Sequence, residues 1–250
     1  MSKEITVIRH FEDEDDLRYR LDSPLKKGQE EQVVIATRKN IPASSNVYML
    51  TSPKRRAIET AKIIANELLS GRTTVKLEIV DDLREQDQGE FILPNKYRPG
   101  DRFHPLTKAW EKYWQNTFGL GDTRYRFGSG QSEFIRLGEC YDEWSLRICR
   151  SVKRIYSDRI NLSGNVLLAV VTHGAPQTVM LQIHDICSSG DFKTLRTGTL
   201  FRECWDRYTA SEYTPHDAFG SMATLDCNGI EEEHIKYLAK EMGAIAMRNN

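Results

Sequence analysis

Three short apolar runs punctuate the chain, and each ends on residues able to do chemistry. Residues 4–8 read EITVI and lead into Arg9-His10, while 46–50 read NVYML and lead into Thr51-Ser52. Residues 165–171, NVLLAVV, lead into Thr172-His173-Gly174. Continuous aliphatic and β-branched runs of this length predict central strands covered on both faces. Elsewhere the spacing changes. Ala57, Ala61, Ile64, Ala65 and Leu68 recur every three or four positions. That spacing predicts a helix capped by Ser52, with Pro53 in its first position and Gly71 at its stop. QTVMLQIHDI, after Gly174-Ala175-Pro176, predicts another. The longest is predicted from near Ser132, because Phe134, Leu137, Tyr141, Trp144, Ile148, Val152 and Ile155 hold one face. Residues 26–39 and 230–247 are weaker helical patterns, and VKLEIV over 75–80 alternates as an edge strand does.

Strands alternating with helices predict an α/β fold, a three-layer sandwich with a mostly parallel sheet flanked by helices. Residues 90–130 break the alternation. Rich in Pro, Gly and aromatics, they read as an inserted cap region within a single domain spanning residues 1–250. Ligands of such sheets bind outside the carboxyl ends of the strands. Arg9, His10, His173 and the start of the Ser52 helix are therefore expected to converge.

Composition then narrows the partners. A net charge of −1 provides no global field for nucleic acid or an anionic membrane. No apolar run approaches membrane-spanning length, and MSKEITVIRH lacks the apolar core of a signal peptide, so a cytoplasmic location is expected. The five cysteines, at 140, 149, 187, 204 and 227, form no C-x-x-C pair and read as reduced, mostly buried thiols rather than a disulfide framework or a zinc site. Anion recognition must then be local. SPKRRAIETA places Lys54, Arg55 and Arg56 in a first helical turn, where each cation opposes the helix dipole by about 0.3–1 kcal/mol. A bound anion would offset that cost. The turn at Gly174-Ala175-Pro176 opens a helix whose free N–H groups can face a phosphate. Singly, a histidine near a strand end is more often structural and an arginine more often a surface residue. Their joint placement carries the reading.

With these residues in view, VIRH, TSPKRRAIETA and VVTHGA resemble the three signatures of the histidine phosphatase superfamily, which includes phosphoglycerate mutases. The resemblance is to its branch with small phosphatases. DSPLKKGQEEQ (22–32), LREQDQGEF (83–91) and GSGQSEFIRLGECYDEW (128–144) are similar to further segments, in the family's order, up to about Ile186. The resemblance implies metal-independent hydrolysis of a phosphate ester or other phosphorylated substrate through a phosphohistidine, with no cofactor. His10 would be the nucleophile, and Arg9, Arg56 and His173 would clamp the phosphoryl oxygens beside Gly174. Glu85 would protonate the departing alkoxide and then deprotonate water, with Glu90 a nearby competitor. A mutase is the rival enzyme, although REQDQGEF does not look like the longer segment mutases carry there. A catalytically silent module that binds phosphorylated ligands is the rival of another class.

The chemistry is self-consistent. Phosphoryl transfer needs positioning and charge neutralisation, which two guanidinium forks and a protonated imidazole supply. The attacking imidazole must be neutral, with its tautomer held by a partner such as a backbone carbonyl. Glu85 needs a raised pKa to act as an acid. Two departures stand out. The family usually has Gly after the first His, and here it is Phe11; a polar neutral residue of the next loop falls at Asp16 or beside it. Residues 12–16 are all acidic. That block turns outward as a solvated face, meets a cationic part of the substrate or of the insertion, or marks a site without activity. The insertion's aromatics, interleaved with Arg98, Arg102, Arg124 and Arg126, pack it onto the sheet or shape a pocket mouth for an aromatic or multiply phosphorylated substrate.

Overall fold

The three apolar runs form strands because every second side chain of each enters one of two cores. The computed structural model describes residues 4–14, 22–41, 46–71, 73–85, 141–209 and 219–248, and the backbone of 124–126 and 134–136. In chain order, the first elements are β1 (Glu4–Arg9), α1 (Glu30–Asn40), β2 (Asn46–Thr51), α2 (Arg55–Ser70) and β3 (Thr74–Ile79). A short pair follows, β4 (Arg124–Arg126) and β5 (Phe134–Arg136). Next come α3 (Tyr141–Asn161), β6 (Val166–Thr172), α4 (Gly174–Ser189), α5 (Leu200–Thr209), β7 (Met222–Asp226) and α6 (Glu232–Arg248).

The central sheet has the order β3-β2-β6-β1-β7. Its first four strands are parallel, and β7 runs antiparallel to β1 at the edge. Ile5, Val7, Leu50, Leu168 and Val170 share one core with Trp144, Ile148, Val152, Val179, Ile183 and Leu238. Ile8, Val47, Met49, Ala169 and Val171 share the other with Val33, Ala57, Ala61 and Ile64. Both faces of each strand are thus apolar, so these runs show no polar alternation. The fold is the expected three-layer α/β sandwich. Burial pushes the Cys187 and Cys227 thiols up to about 12, leaving them protonated. Among the described residues no helix is long and apolar enough to cross a membrane.

The structure differs from the sequence-based expectation at two helix starts and in added elements. The longest helix starts at Tyr141 and not near Ser132, and Phe134 belongs to β5, paired antiparallel with Arg126. Its helical spacing with Trp144 and beyond is coincidental. The second helix starts at Arg55, with Lys54 in the cap position. Ser52 instead turns its hydroxyl to His173 and accepts the Lys54 N–H. The additions are β4, α5 and the edge strand β7, none of them anticipated. Only Leu225 of β7 is fully buried, so the strand lacks a strong pattern. Residues 90–123, which hold most of the expected cap, and Asp15-Asp16 lie outside the described residues.

Phe11 finds its space far away in sequence. Gly220 has φ +72°, and a Cβ there would lie 2.6 Å from the Phe11 ring. Its N–H bonds the His10 carbonyl at 3.1 Å, closing the backbone around the ring. Gly220→Ala is expected to cost about 2 kcal/mol or more, from a left-handed backbone plus the contact. In a double-mutant cycle followed by urea unfolding, Phe11→Gly should relieve part of that cost. Strict additivity would show that ring and glycine are uncoupled.

Candidate active site

Parallel pairing levels the carboxyl ends of β1, β2 and β6: Arg9 lies opposite Thr172, and Thr51 opposite Val171. The His10 N–H then bonds the Thr172 carbonyl and the Ser52 N–H bonds the Val171 carbonyl, each at 2.9 Å. Three chain segments distant in sequence are in this way held against one another.

His10 is buried, 4% exposed, with Nδ1 2.7 Å from the Phe11 carbonyl. A carbonyl only accepts, so the ring proton sits on Nδ1 and Nε2 keeps its lone pair. Arg56 Nε donates to that Nε2 at 3.0 Å. Burial, followed by the Arg56 guanidinium, lowers the His10 pKa to about 3; the Phe11 carbonyl opposes the shift and Arg9 adds to it. The imidazole is therefore neutral near pH 7 and held in one tautomer.

His173 is fully buried, its ring centroid 5.0 Å from that of His10 at an interplanar angle of 62°. Its Nδ1 lies 3.3 Å from Arg56 Nη2, which can only donate, so Nε2 carries the proton and donates to Ser52 Oγ at 2.8 Å. Burial first, then His10 and Arg56, hold its pKa well below the usual histidine range. A protonated His173, expected from the sequence, is thus not the resting state. Two cations and a buried imidazole would repel before any anion arrives.

Arg56 lays its Nε–Nη2 edge across the two imidazoles. Its third nitrogen, Nη1, reaches Ser23 Oγ at 3.3 Å and the Asp13 carboxylate at 3.7 Å, and Ser23 donates to the same carboxylate. Part of the acidic run therefore turns inward and braces the guanidinium. Glu12 pairs with Lys26 at 2.9 Å. Neither carboxylate behaves as a merely solvated face. The first-turn cations also divide. Arg55 bonds Glu59 at 2.8 Å and gives its N–H to Asp22, on the exposed side of the helix.

Arg9 stacks its guanidinium 4.5 Å from the centre of the Phe219 ring. It also lies against Gly174, where a Cβ would come within 3.1 Å of the guanidinium carbon. The glycine that opens α4 makes room for an arginine there. Glu85 is half-buried and follows a short turn, Asp81–Leu83, that is fixed from behind. Thr172 Oγ1 donates to the Leu83 carbonyl at 2.8 Å, and Arg147 Nη1 donates to the carbonyls of Asp82 and Arg84. Because Thr172 immediately precedes His173, Glu85 leaves the chain at the same end of the sheet. Glu90 lies outside the described residues.

Sequence reasoning missed Ser52 as a histidine partner, Asp13 and Ser23 as supports of Arg56, and Phe219. Ser52 was visible at a strand end and read as a cap, and Asp13 was hidden in a charge run. No local pattern marks Ser23 or Phe219.

The profile described as "Histidine phosphatase superfamily (branch 1)" matches residues 5–197. The chain belongs to the histidine phosphatase superfamily. Its fold recurs in an Escherichia coli protein described provisionally as an alpha-ribazole-5'-P phosphatase, 16% identical, with TM-score 0.57 over 90% of this chain and 91% of that one. A mycobacterial glucosyl-3-phosphoglycerate phosphatase complexed with VO3 is 15% identical, with TM-score 0.51 over 88% and 90%. A structure titled mycobacterial hydrolase 1 is 14% identical, with TM-score 0.53 over 88% and 87%. At such identities these likenesses concern the fold. No match was found among curated protein sequences. The superfamily match stops before Phe219 and Gly220, so the part of the site they form is supplied by the chain beyond it.

The two histidines predict that this chain's fold is acid-sensitive. The unfolded chain takes up a proton on each near its ordinary pKa of 6.5, whereas native His10 does so only near 3. Their contribution is complete above pH 6.5 and shrinks as pH falls, by about 1.4 kcal/mol per pH unit for each. Unfolding free energies between pH 7 and 4.5 should show a shallower slope for His10→Asn than for wild type. Parallel curves would contradict a neutral buried His10.

Proposed function

We propose that the chain is a metal-independent phosphomonoesterase working through a phosphohistidine on His10. One observation carries this reading: a neutral imidazole with its Nδ1–H on a backbone carbonyl turns its Nε2 lone pair to an arginine edge shared with a second histidine. In the resting site that edge is satisfied by two ring nitrogens. A phosphoryl group entering between the rings takes over both N–H bonds, and Arg forks match phosphate oxygens in this way. Arg9, His173 and the N–H groups opening α4 at Gly174 complete the cradle. The phosphate's charge would draw a proton onto His173, so the clamp becomes cationic when the anion is there.

His10 Nε2 attacks phosphorus as the P–O ester bond breaks, and Glu85 gives its proton to the departing alkoxide. The same carboxylate then removes a proton from water, whose oxygen attacks the phosphohistidine. The P–N bond breaks, inorganic phosphate leaves, and His10 regains its lone pair. Arg147, by holding the carbonyls beside Glu85, keeps this acid in position. The mycobacterial relative with its bound VO3, and its structure with inorganic phosphate, support the reading, since both ligands are oxyanions.

Wild type should hydrolyse a chromogenic phosphomonoester in the presence of a chelator, and His10→Ala should fall to background while still folded. Acid-labile, alkali-stable phosphate should accumulate on the wild type alone during rapid quench. Equal background for both proteins, with phosphate still binding, would make the chain a silent phospho-ligand module. A second measurement isolates the acid. Glu85→Gln should lose roughly 100-fold or more in kcat on an alkyl phosphate. It should lose far less on p-nitrophenyl phosphate, whose leaving group needs no proton. Equal losses on the two esters would remove Glu85 from that role.

A further inference from the structure

We propose that Phe219 is a platform on which the site receives an aromatic alcohol portion of its phosphomonoester. This rests on the phosphatase reading for where the phosphoryl group sits, and adds what the group beyond it should be. Phe219 is 45% exposed, although its ring centroid is only 5.6 Å from that of the buried His10. The exposed Ile35 and Leu69 sit on α1 and α2, and Leu77 on the edge strand β3; Phe219 stands beside the candidate nucleophile.

The backbone just beyond Phe219 is tied to the site. The next residue, Gly220, gives its N–H to the His10 carbonyl, and the Arg9 N–H goes to the Ser221 carbonyl at 2.9 Å. Ser221 Oγ donates to the buried Gln177 Oε1 at 3.1 Å. Phe11 fills the space behind Gly220. The departure from the family's glycine and the aromatic wall therefore belong to one construction. Nearly half of this apolar ring still faces outward, where an apolar partner would cover it. The Arg9 guanidinium sits 4.5 Å from the ring centroid, and the exposed part of the ring is open to an offset or edge-on aromatic partner. In-line attack by His10 Nε2 sets the ester oxygen on the far side of phosphorus, so only a broad substituent extends back to Phe219. An aryl group borne on that oxygen reaches the platform, and a small alkyl group does not.

The test uses binding, so that it does not depend on turnover. Phenylphosphonate and methylphosphonate are titrated calorimetrically into the full chain as wild type, Phe219→Ala and Phe219→Leu. Wild type should bind phenylphosphonate about tenfold more tightly than methylphosphonate. Phe219→Ala should reduce that ratio to near unity, and Phe219→Leu should leave it in between. A ratio near unity in wild type, or no binding of either phosphonate, overturns the proposal. So does a ratio preserved in Phe219→Ala with both affinities reduced, which would assign the ring to orienting Arg9. Whether the site turns over is decided separately by His10→Ala, so the two readings fail in different experiments.

Discussion

A partly buried guanidinium laid across two neutral imidazoles is the contact on which the rest of the site depends. Arg56 donates to Nε2 of His10 and to Nδ1 of His173, and an imidazole can accept only while it is neutral. The cation therefore favours the neutral form of both rings. Burial acts in the same direction and is the larger cause in both rings. Each remaining ring proton has an acceptor, the Phe11 carbonyl for His10 and the Ser52 hydroxyl for His173. A phosphoryl dianion would substitute for two acceptors already in position, so little must be reorganised when it arrives.

That contact exists because the sheet is parallel in its centre. In-register pairing of β1 and β2 with β6 brings residues 10, 52 and 173 to one level, and α2 leaves that level with Arg56 on its inward side. Asp13 is the counterweight. A carboxylate beside a phosphate would repel it, but here it is directed at Nη1, the guanidinium nitrogen not turned to the histidines. The acidic run that seemed opposed to anion binding contributes in this way to the posture of the clamp. Its strength is set by a partly exposed pair, which is worth on the order of 1 kcal/mol or less, and so orients more than it stabilises.

The phenylalanine that follows His10 is accommodated by a single glycine. Phe11 occupies space that only a residue without a side chain could leave at position 220, and the positive φ there needs a glycine as well. One consequence is a turn tied to His10 and Arg9 that presents Phe219 beside them. A change next to the nucleophile and a loop more than two hundred residues later are parts of one arrangement.

Much was legible locally. Runs such as NVLLAVV specify covered central strands by themselves, because apolarity at every position leaves no face for water. Arg9, His10, Arg56 and His173 could be placed together from the rule that such strands end at a common edge. Where periodicity was shared by chance, as with Phe134, local reading extended a helix into a strand. The edge strand β7, half exposed and short, had no pattern to read. The sequence alone determined which residues could meet at the carboxyl edge of the sheet, since strand type and order of elements follow from patterns of neighbours. Only the tertiary structure decided their states: which nitrogen holds each proton, that Asp13 turns inward, that Ser52 serves His173, and that Phe219 stands beside His10. Those depend on burial and on partners far apart in the chain, which no local pattern encodes.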